Sequence, residues 1–329
     1  MCGITGIWGA MPDKQAIIGQ GCRRMRHRGP DSEGYWEDEA AGLALGHVRL
    51  AILDLTAAGH QPMTSACQRY VLVLNGEIYN HLALRDALER EAAAPAWRGH
   101  SDTETVLACI SAWGVGRTLQ ACTGMFAMAL WDRQERELTL TRDRMGEKPL
   151  YVGYAGGNFV FASELKALAG VPGFGAEFDR RALSLLVRHN YIPAPYSIYQ
   201  GISKLAPGTW LTLSEPQCRQ GVLPEAHSYW SAQQVAEQGR DQPLHFESDD
   251  QAIDALESVL TTAVKGQMIS DVALGAFLSG GIDSSVVVAL MQKDNAQPVR
   301  TFSIGFDDPS FNEAEHAKAV ARHLGTAHT

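Results

Sequence analysis

Apolar and polar positions alternate with a period of two through much of the first 213 residues. The runs "ITGIWG", "LALGHVRLAIL", "YVLVLNGEIYN", "MFAMALWD", "ELTLTRD", "LYVGYA" and "NFVFASE" each predict a strand with one buried face. Helical spacing appears chiefly near 80–91, 103–113 and 180–188. Many strands with few helices between them predict stacked antiparallel sheets covered by helices, an α+β fold. At 214–250 the periodicity is lost and Pro, Gln, Glu and Asp accumulate, which reads as a linker. From 251 the pattern changes in kind. "DDQAIDALESVLTTAVKGQM" is helical behind an acidic cap, "VALGAFL" is a buried strand, "SSVVVALMQ" a helix, "VRTFSIGF" a strand and "NEAEHAKAVARHLG" a helix ending at Gly. Such alternation predicts a parallel sheet. Two strands and about three helices do not close a doubly wound sheet, so the expected organisation is a domain at 1–213, a linker at 214–250 and an incomplete second domain at 251–329.

Composition narrows the classes of function. Apolar residues at 45% and charged residues at 20% are ordinary for a folded globular chain and argue against disorder. The 28 basic and 37 acidic residues leave a net charge of −9 with no Lys or Arg tract, which excludes nucleic acid as a partner because phosphate contact needs a positive stripe. No apolar run approaches the ~18 residues of a membrane span. The start lacks a basic n-region and a cleavage site, so the expectation is a cytoplasmic protein without a membrane partner. The six cysteines show no C-x-x-C spacing, which disfavours zinc and disulfides and leaves five of them as small buried hydrophobes.

The sixth, Cys2, follows the initiator methionine directly. If Met1 is removed, one residue carries a thiol and a free α-amine, with reference pKa values of about 8.5 and about 7.7–8.0. The amine then serves as proton acceptor for the thiol, directly or through water, so that nucleophile and base coincide. Taken alone, the dipeptide reads first as a buried cysteine at a frayed start.

Four further stretches bear on this choice. "RHRGPDSEG" is a dense basic turn. "GHVRLAILD" places Arg49 in an otherwise apolar strand, where a guanidinium is costly unless it meets a carboxylate. "VLNGEIYN" contains Asn-Gly, a strong hairpin-turn signal, yet the same residues could aim the Asn75 amide and the Gly76 N–H at a developing oxyanion. "HSDTE" sets Ser101 and Asp102 at a helix start, where one of them caps the helix and an Asp is free to bind an ammonium.

Together Cys2-Gly-Ile, "RHRGPD", "NGEIYN", "SDTE", "LTRDRMGEKPLY" and "FASELKAL" resemble the glutamine-amidotransferase domain of the N-terminal-nucleophile class, and within it the glutamine-hydrolysing asparagine synthetases. The resemblance covers essentially all of residues 1–213 and implies a four-layer sandwich of two antiparallel sheets between helices. It implies that Cys2 attacks the glutamine carboxamide, that Arg49 pairs with the substrate α-carboxylate, that Asn75 and Gly76 form the oxyanion hole, and that Glu77 and Asp102 hold the α-amino group. A homodimer is common in that family.

"FLSGGIDSSVVV" follows a predicted strand and enters a predicted helix. Gly280 and Gly281 let main-chain N–H groups approach an anion, and Ser279, Ser284 and Ser285 add hydroxyls at a positive helix end. The lysine of a G-x-x-x-x-G-K-[ST] loop is missing. S-G-G-x-D-S-S instead resembles the pyrophosphate loop of ATP pyrophosphatases, in which Asp283 becomes a ligand to phosphate-bridging Mg²⁺, and Leu278 and Ile304 contact adenine through their main chains. A cysteine-terminal glutaminase joined to this loop implies ammonia delivered to an acyl-adenylate, with ATP, Mg²⁺, glutamine and aspartate as the small molecules involved and β-aspartyl-AMP as the intermediate. "RDRMGEKPLY" and "NYIPAPYSIYQGISKLAPG" also resemble bacterial relatives that amidate other carboxylates, so a sugar uronate or peptide carboxylate is the alternative acceptor, and a non-catalytic interaction module is a further one. The family's second ATP-contacting loop, of Ser-Gly-Glu-Gly-Ser-Asp-Glu type, is absent. The expectation for these 329 residues is glutaminase activity without asparagine formation.

Overall fold

Period-two alternation becomes strands wherever the sequence shows it. The computed structural model describes residues 1–308 and 312–329, and its first compact unit is Met1–Asp241. The strands of this unit are β1 (Gly3–Trp8), β2 (Ser32–Asp38), β3 (Leu43–Arg49), β4 (Met63–Thr64), β5 (Tyr70–Ile78), β6 (Gly124–Asp132), β7 (Glu137–Arg142), β8 (Tyr151–Ala155), β9 (Asn158–Ala162), β10 (Ile202–Lys204), β11 (Thr209–Ser214) and β12 (His227–Ser228). They form two six-stranded antiparallel sheets, ordered β10-β8-β9-β1-β3-β2 and β12-β11-β7-β6-β5-β4. Helices α1 (Lys14–Arg24), α2 (His81–Arg90), α3 (Asp102–Ala121), α4 (Leu165–Leu168), α5 (Arg180–His189), α6 (Glu215–Gln220) and α7 (Ala232–Asp241) complete the unit.

Three apolar layers fix the α-β-β-α order. Ile4, Trp8, Leu43, Leu45, Val71, Val73 and Trp131 pack between the sheets. Leu72, Leu74 and Phe126 pack against α2 and α3 through Leu84, Leu88 and Leu107. On the other side Ile7, Ala44 and Val48 meet Ile18 and Cys22 of α1 and Leu168 of α4. The two halves of each strand's alternation therefore serve different layers. Between the sheets Trp8 and Trp131 meet edge to face with centroids 5.1 Å apart. Their ring N–H groups donate to Ala41 O at 3.0 Å and Asp38 Oδ2 at 3.1 Å.

The sequence pattern missed α1 and β2. Helix α1 contains two glycines and has weak propensity, but its Ile18 and Cys22 seat on Gly46 of β3, where a Cβ would lie 2.4 and 2.8 Å from those side chains. β2, "SEGYWED", whose first three residues end the predicted "RHRGPDSEG" turn, becomes an edge strand by pairing with β3 from Ser32↔Arg49 to Asp38↔Leu43. Segment 214–250, read as a linker, holds α6, β12 and α7. Cys218 joins the inter-sheet core, and the Tyr229 hydroxyl donates to Arg142 O at 2.8 Å.

The second unit is Gln242–Thr329. It contains α8 (Asp249–Gly266), β13 (Gly275–Phe277), α9 (Ile282–Lys293), β14 (Arg300–Phe302), α10 (Ala314–Leu324) and β15 (Ala327–His328). Its three strands are parallel in the order β13-β14-β15, one strand more than the pattern predicts. Leu278, Val288, Ala317 and Ala321 form its small core, and Ile253, Leu256 and Val259 of α8 are exposed. No helix among the described residues is long and apolar enough to cross a membrane.

Trp131 fills the centre of the inter-sheet layer, so Trp131→Ala should lower the unfolding free energy by about 3–5 kcal/mol, measured by urea titration followed by far-UV circular dichroism.

Candidate active site at the start of the first strand

At one end of the inter-sheet layer the inward rows turn from apolar to polar. Leu43 and Leu45 of β3 point inward, so alternation sends His47 and Arg49 the same way. Val71 and Val73 of β5 point inward, which places Asn75 and Glu77 on that face too. Cys2 precedes β1 in phase with Ile4 and Trp8. Five of the predicted residues, Cys2, Arg49, Gly76, Glu77 and Asp102, line one cleft, together with Leu50, Gln61, Ser101 and Thr103; Asn75 adjoins it on β5.

Most of the other motifs hold the chain start in place. Cys2 Sγ accepts from Leu50 N–H at 3.4 Å, and its carbonyl accepts from Arg28 Nε at 2.9 Å. Arg28 also pairs with Glu164 at 2.8 Å, joining "RHRGPD" to "FASELKAL". Against the upward push of partial burial, hydrogen bonds from Arg28, Lys166 and His27 bring the Glu164 carboxyl down to about 2. Ser163 Oγ accepts from Ile4 N–H at 3.0 Å. In "RDRMGEKPLY" the buried Asp143 accepts from the N–H groups of Phe126, Met145, Glu147 and Lys148, a turn that brings Lys148 Nζ to 3.3 Å from Met1 Sδ. Burial pushes the Cys2 thiol up and the Met1 α-amine down, so both groups favour their neutral forms.

Asn75-Gly76 is not a turn: it lies inside β5, with Asn75↔Ala127 and Gly76↔Phe126 paired across to β6. A side chain at position 76 would lie 2.1 Å from Met125 O and 2.6 Å from Phe126 Cα, so the close strand approach admits only glycine. Asn75 is fully buried. Of the three buried side-chain polar atoms without a partner among the described residues, two are its Nδ2 and Oδ1. Native structures keep few such atoms, each at a cost of about 1–3 kcal/mol.

The edge of β5 explains the exposure of its neighbour. Leu72, Leu74, Gly76 and Ile78 direct their N–H and C=O groups towards the β4 side, but β4 pairs only Met63 and Thr64 with Leu72 and Val71. Beyond it, side chains take over. Leu74 N–H donates to Gln61 Oε1 at 2.6 Å, His47 Nε2 lies 3.1 Å from Leu74 O, and Ile78 N–H donates to Asp102 Oδ2 at 2.8 Å. Gly76 lies between these rungs, and its N–H has no side-chain partner among the described residues.

Ser101 takes the N-cap role at α3, accepting from Glu104 N–H at 3.2 Å. Asp102, one residue on, accepts from Ile78 and Thr103 N–H groups. Arg49 was expected to find a carboxylate; instead its guanidinium donates to the main-chain carbonyls of Thr56 at 3.1 Å, Leu53 at 3.2 Å and Asp54. Nε–H and one Nη1–H remain without an acceptor among the described residues. The Glu77 carboxylate has no hydrogen-bond partner among them either. Burial, then the charge of Asp102, raises the Glu77 carboxyl against the pull of Lys148, and burial likewise raises Asp102. The cleft thus holds a cation and two acids, of which Asp102 is met by two main-chain N–H groups and Glu77 by no hydrogen bond among the described residues.

Sequence reasoning assigned no role to His47, Gln61, Arg28 or Lys148. For His47 the signal was available: two polar residues in succession on the inward parity of β3. Burial, followed by the nearby Arg49 guanidinium, takes the His47 ring down to about 3 in spite of its bond to Leu74.

The second motif forms a strand-loop-helix turn in the second unit. Leu278 is buried and its N–H donates to Phe302 O at 2.9 Å. Gly280 has φ +81°, and a Cβ there would lie 2.8 Å from Ala317 N. Ser279 and Ser284 hydroxyls are 2.9 Å apart, and Ser285 Oγ donates to Gly281 O at 2.7 Å. Gly281 caps α9 through its backbone alone, with Asp283 in the first turn. Ile304 is exposed. Among the described residues no three His, Cys, Asp or Glu side chains gather as a metal cage. One exposed carboxylate, Asp283, still suits Mg²⁺, which commonly takes one or two carboxylates and completes its shell with phosphates and water.

The family profile described as the glutamine amidotransferase domain matches residues 1–230, and the one described as asparagine synthase matches residues 255–329. A putative glutamine-hydrolysing asparagine synthetase of Mycobacterium tuberculosis (strain ATCC 25618 / H37Rv) is 37% identical over 336 residues, covering 99% of this chain and 49% of that protein. The glutamine-hydrolysing asparagine synthetase 1 of Bacillus subtilis (strain 168) is 33% identical over 330 residues, with the same coverage of 99% and 49%. The chain therefore spans about half the length of these curated relatives. Among solved structures, the glutamine phosphoribosylpyrophosphate amidotransferase of B. subtilis shares the fold at a TM-score of 0.51 and 16% identity, over 99% of this chain and 89% of that one.

The neutral, buried His47 has a pH consequence. Unfolded histidine takes up a proton near its ordinary value of 6.5, whereas the folded ring holds out to about 3. In that window the unfolded state binds more protons, so His47 makes stability fall as pH falls. Urea midpoints at pH 7 and pH 5 should therefore drop further in the native protein than in His47→Gln.

Proposed function

Because this chain belongs to the glutamine amidotransferase domain family, we propose that its first unit hydrolyses glutamine at Cys2 to release ammonia, and that its second unit serves the ATP-dependent activation of the carboxylate that receives it. The observation that carries this reading is the buried Asn75 amide, whose two polar atoms have no partner among the described residues, next to Gly76 on the open strand edge of the cleft that holds the Cys2 thiol.

Removal of Met1 would give Cys2 the α-amine. Burial favours a neutral resting thiol; its proton moves to the new α-amine as Sγ adds to the carboxamide carbon. The negative charge that develops on oxygen meets the Asn75 amide and the Gly76 N–H, donors already in place and unused in the ground state. Collapse breaks the C–N bond, and the nitrogen leaves as ammonia with the proton held by the amine. Water then cleaves the γ-glutamyl thioester to glutamate and free thiol. The two unused N–H groups of Arg49 suit the substrate α-carboxylate, and the unpartnered Glu77 carboxylate suits its ammonium. Asp102, already held by two main-chain N–H groups, adds negative charge at that end.

In the second unit, the main-chain N–H groups of Gly280 and Gly281 and the hydroxyls of Ser279, Ser284 and Ser285 would hold ATP phosphates at the α9 N-terminus, with Asp283 as the carboxylate for Mg²⁺ and Leu278 and Ile304 near the adenine. ATP supplies the leaving group that lets ammonia displace AMP from an activated carboxylate. The names borne by the relatives favour aspartate as acceptor over a uronate or peptide carboxylate.

Intact mass should show the chain without Met1, and Cys2→Ala should reduce glutamate release from glutamine by at least a factor of about a thousand; a processed chain that keeps its activity in Cys2→Ala would refute the mechanism. Glu77→Gln should raise KM for glutamine by about ten- to a hundredfold, the loss of one charge-assisted contact. Since the substrate ammonium favours ionised Glu77, whose free carboxyl is raised, glutamine binding should release a proton and weaken as pH falls. Calorimetry in buffers of different ionisation enthalpy measures this release.

A further inference from the structure

We propose that His47 and Gln61 are positioning residues that splint Leu74 through its two flanking peptides, so that the Asn75 amide and the Gly76 N–H stand ready for the charge that forms on the substrate oxygen; this rests on the reading of Cys2 as a glutamine hydrolase.

The β4–β5 register, Met63↔Leu72, would bring Gln61 opposite Leu74 as the next rung. A main-chain rung does not form there. Gln61 instead turns its side chain to the strand: Oε1 accepts from Leu74 N–H at 2.6 Å while Nε2 donates to Thr103 Oγ1 at 3.2 Å. The carbonyl of the same residue is held from the other sheet by His47 Nε2 at 3.1 Å. A carbonyl can only accept, so this bond places the ring proton on Nε2. Both groups are buried. The two peptide planes that meet at Leu74 are thus each held, one by Gln61 and one by His47, immediately before Asn75. Four residues past Leu74, beyond the open Gly76 rung, Asp102 fixes the outward N–H of Ile78.

Asn75 cannot anchor itself, because neither polar atom of its side chain has a partner among the described residues. Gly76 has no side chain to anchor. With β6 pairing the opposite edge, their placement on the open edge is therefore decided by Leu74 before them and the rung after them. Had β4 continued, its backbone would have covered this edge and taken up the Gly76 N–H. Side chains at Leu74 and Ile78 hold the strand and leave the intervening rung open.

The test compares the full chain with His47→Met, Gln61→Met and His47→Gln, the last of which keeps a donor at the position of Nε2. Glutamate binds as a ground-state ligand. Glutamate γ-semialdehyde adds the thiol to its aldehyde carbon and forms a tetrahedral adduct whose oxygen occupies the oxyanion position. His47→Met and Gln61→Met should each lower kcat about ten- to a hundredfold and weaken the aldehyde by the same factor, with KM and glutamate affinity held within about twofold. His47→Gln should restore most of the loss. The aldehyde-to-glutamate affinity ratio does not depend on how much protein is folded, so a merely structural role would leave it unmoved. Ratios within about twofold of the native protein in both Met variants, with native hydrolysis intact, would overturn the splint alone. A native chain that neither hydrolyses glutamine nor captures the aldehyde would overturn the Cys2 reading, and the splint with it.

Discussion

The two-residue repeat of the β-strand is the constraint on which the rest of this structure depends. Each strand must send alternate side chains to opposite faces, so a residue on β3 or β5 faces either the other sheet or a helix layer. For most of their length the inward rows are Leu, Val and Trp. At the end where β1 begins, the same rows carry His47 and Arg49 from one sheet and Asn75 and Glu77 from the other. Two facing strands found the cleft by continuing their own alternation past the edge of the apolar core, and the 50–61 loop and the start of α3 complete its lining.

Burying polar groups is costly unless they are paired, and the pairing here is selective. Arg142 donates to the carbonyls of Gly146, Lys148 and Leu205, and Asp143 collects four main-chain N–H groups, so this cation and anion are spent on holding a turn. Arg49 spends three donors on a loop and keeps two. Glu77 and the Asn75 amide keep all of theirs. An unspent donor or acceptor in a buried site is a standing cost in the free protein, and it is recovered only by a ligand that matches it, most strongly by one that develops charge there during the reaction. The local breach of the rule that buried polar groups find partners therefore falls where chemistry is expected.

The long motifs divide along the same line. "RHRGPD", "FASELKAL" and "RDRMGEKPLY" look chemical when read as text, because they are rich in charge. In the fold Arg28, Ser163, Glu164 and Asp143 serve mainly to fasten the first residues of the chain, which would otherwise fray as termini do. A nucleophile at the second residue needs such fastening, since proximity counts only if the group stays where it is put. The loop at Ser279–Ser285 obeys a different logic. There, Gly280 permits a close approach to α10, and the open N-terminus of α9 provides main-chain donors.

Much of this was legible in the sequence. Alternation predicted seven strands of the first unit, among them the β1, β3 and β5 that carry the site, three of its helices and the parallel character of the second unit, because periodicity is a local property of the chain. Residue types within single motifs likewise marked Cys2, Arg49, Asn75, Gly76 and Asp102 as candidates, and the family resemblance added Glu77. Tertiary structure decided the rest. Whether Asn-Gly would be a turn or a strand interior depended on Met125 and Phe126, about fifty residues away. Whether Arg49 would meet a carboxylate or three carbonyls depended on the path of the 53–56 loop, and the glycine-rich α1 and polar β2 formed because β3 offered each a surface to pair with. His47 and Gln61 acquired their meaning only when two sheets closed on one another. A sequence records which groups a strand presents and to which face; which of those groups finds a partner is settled by elements distant in the chain, and that difference separates the residues that hold this site from the ones left free to act.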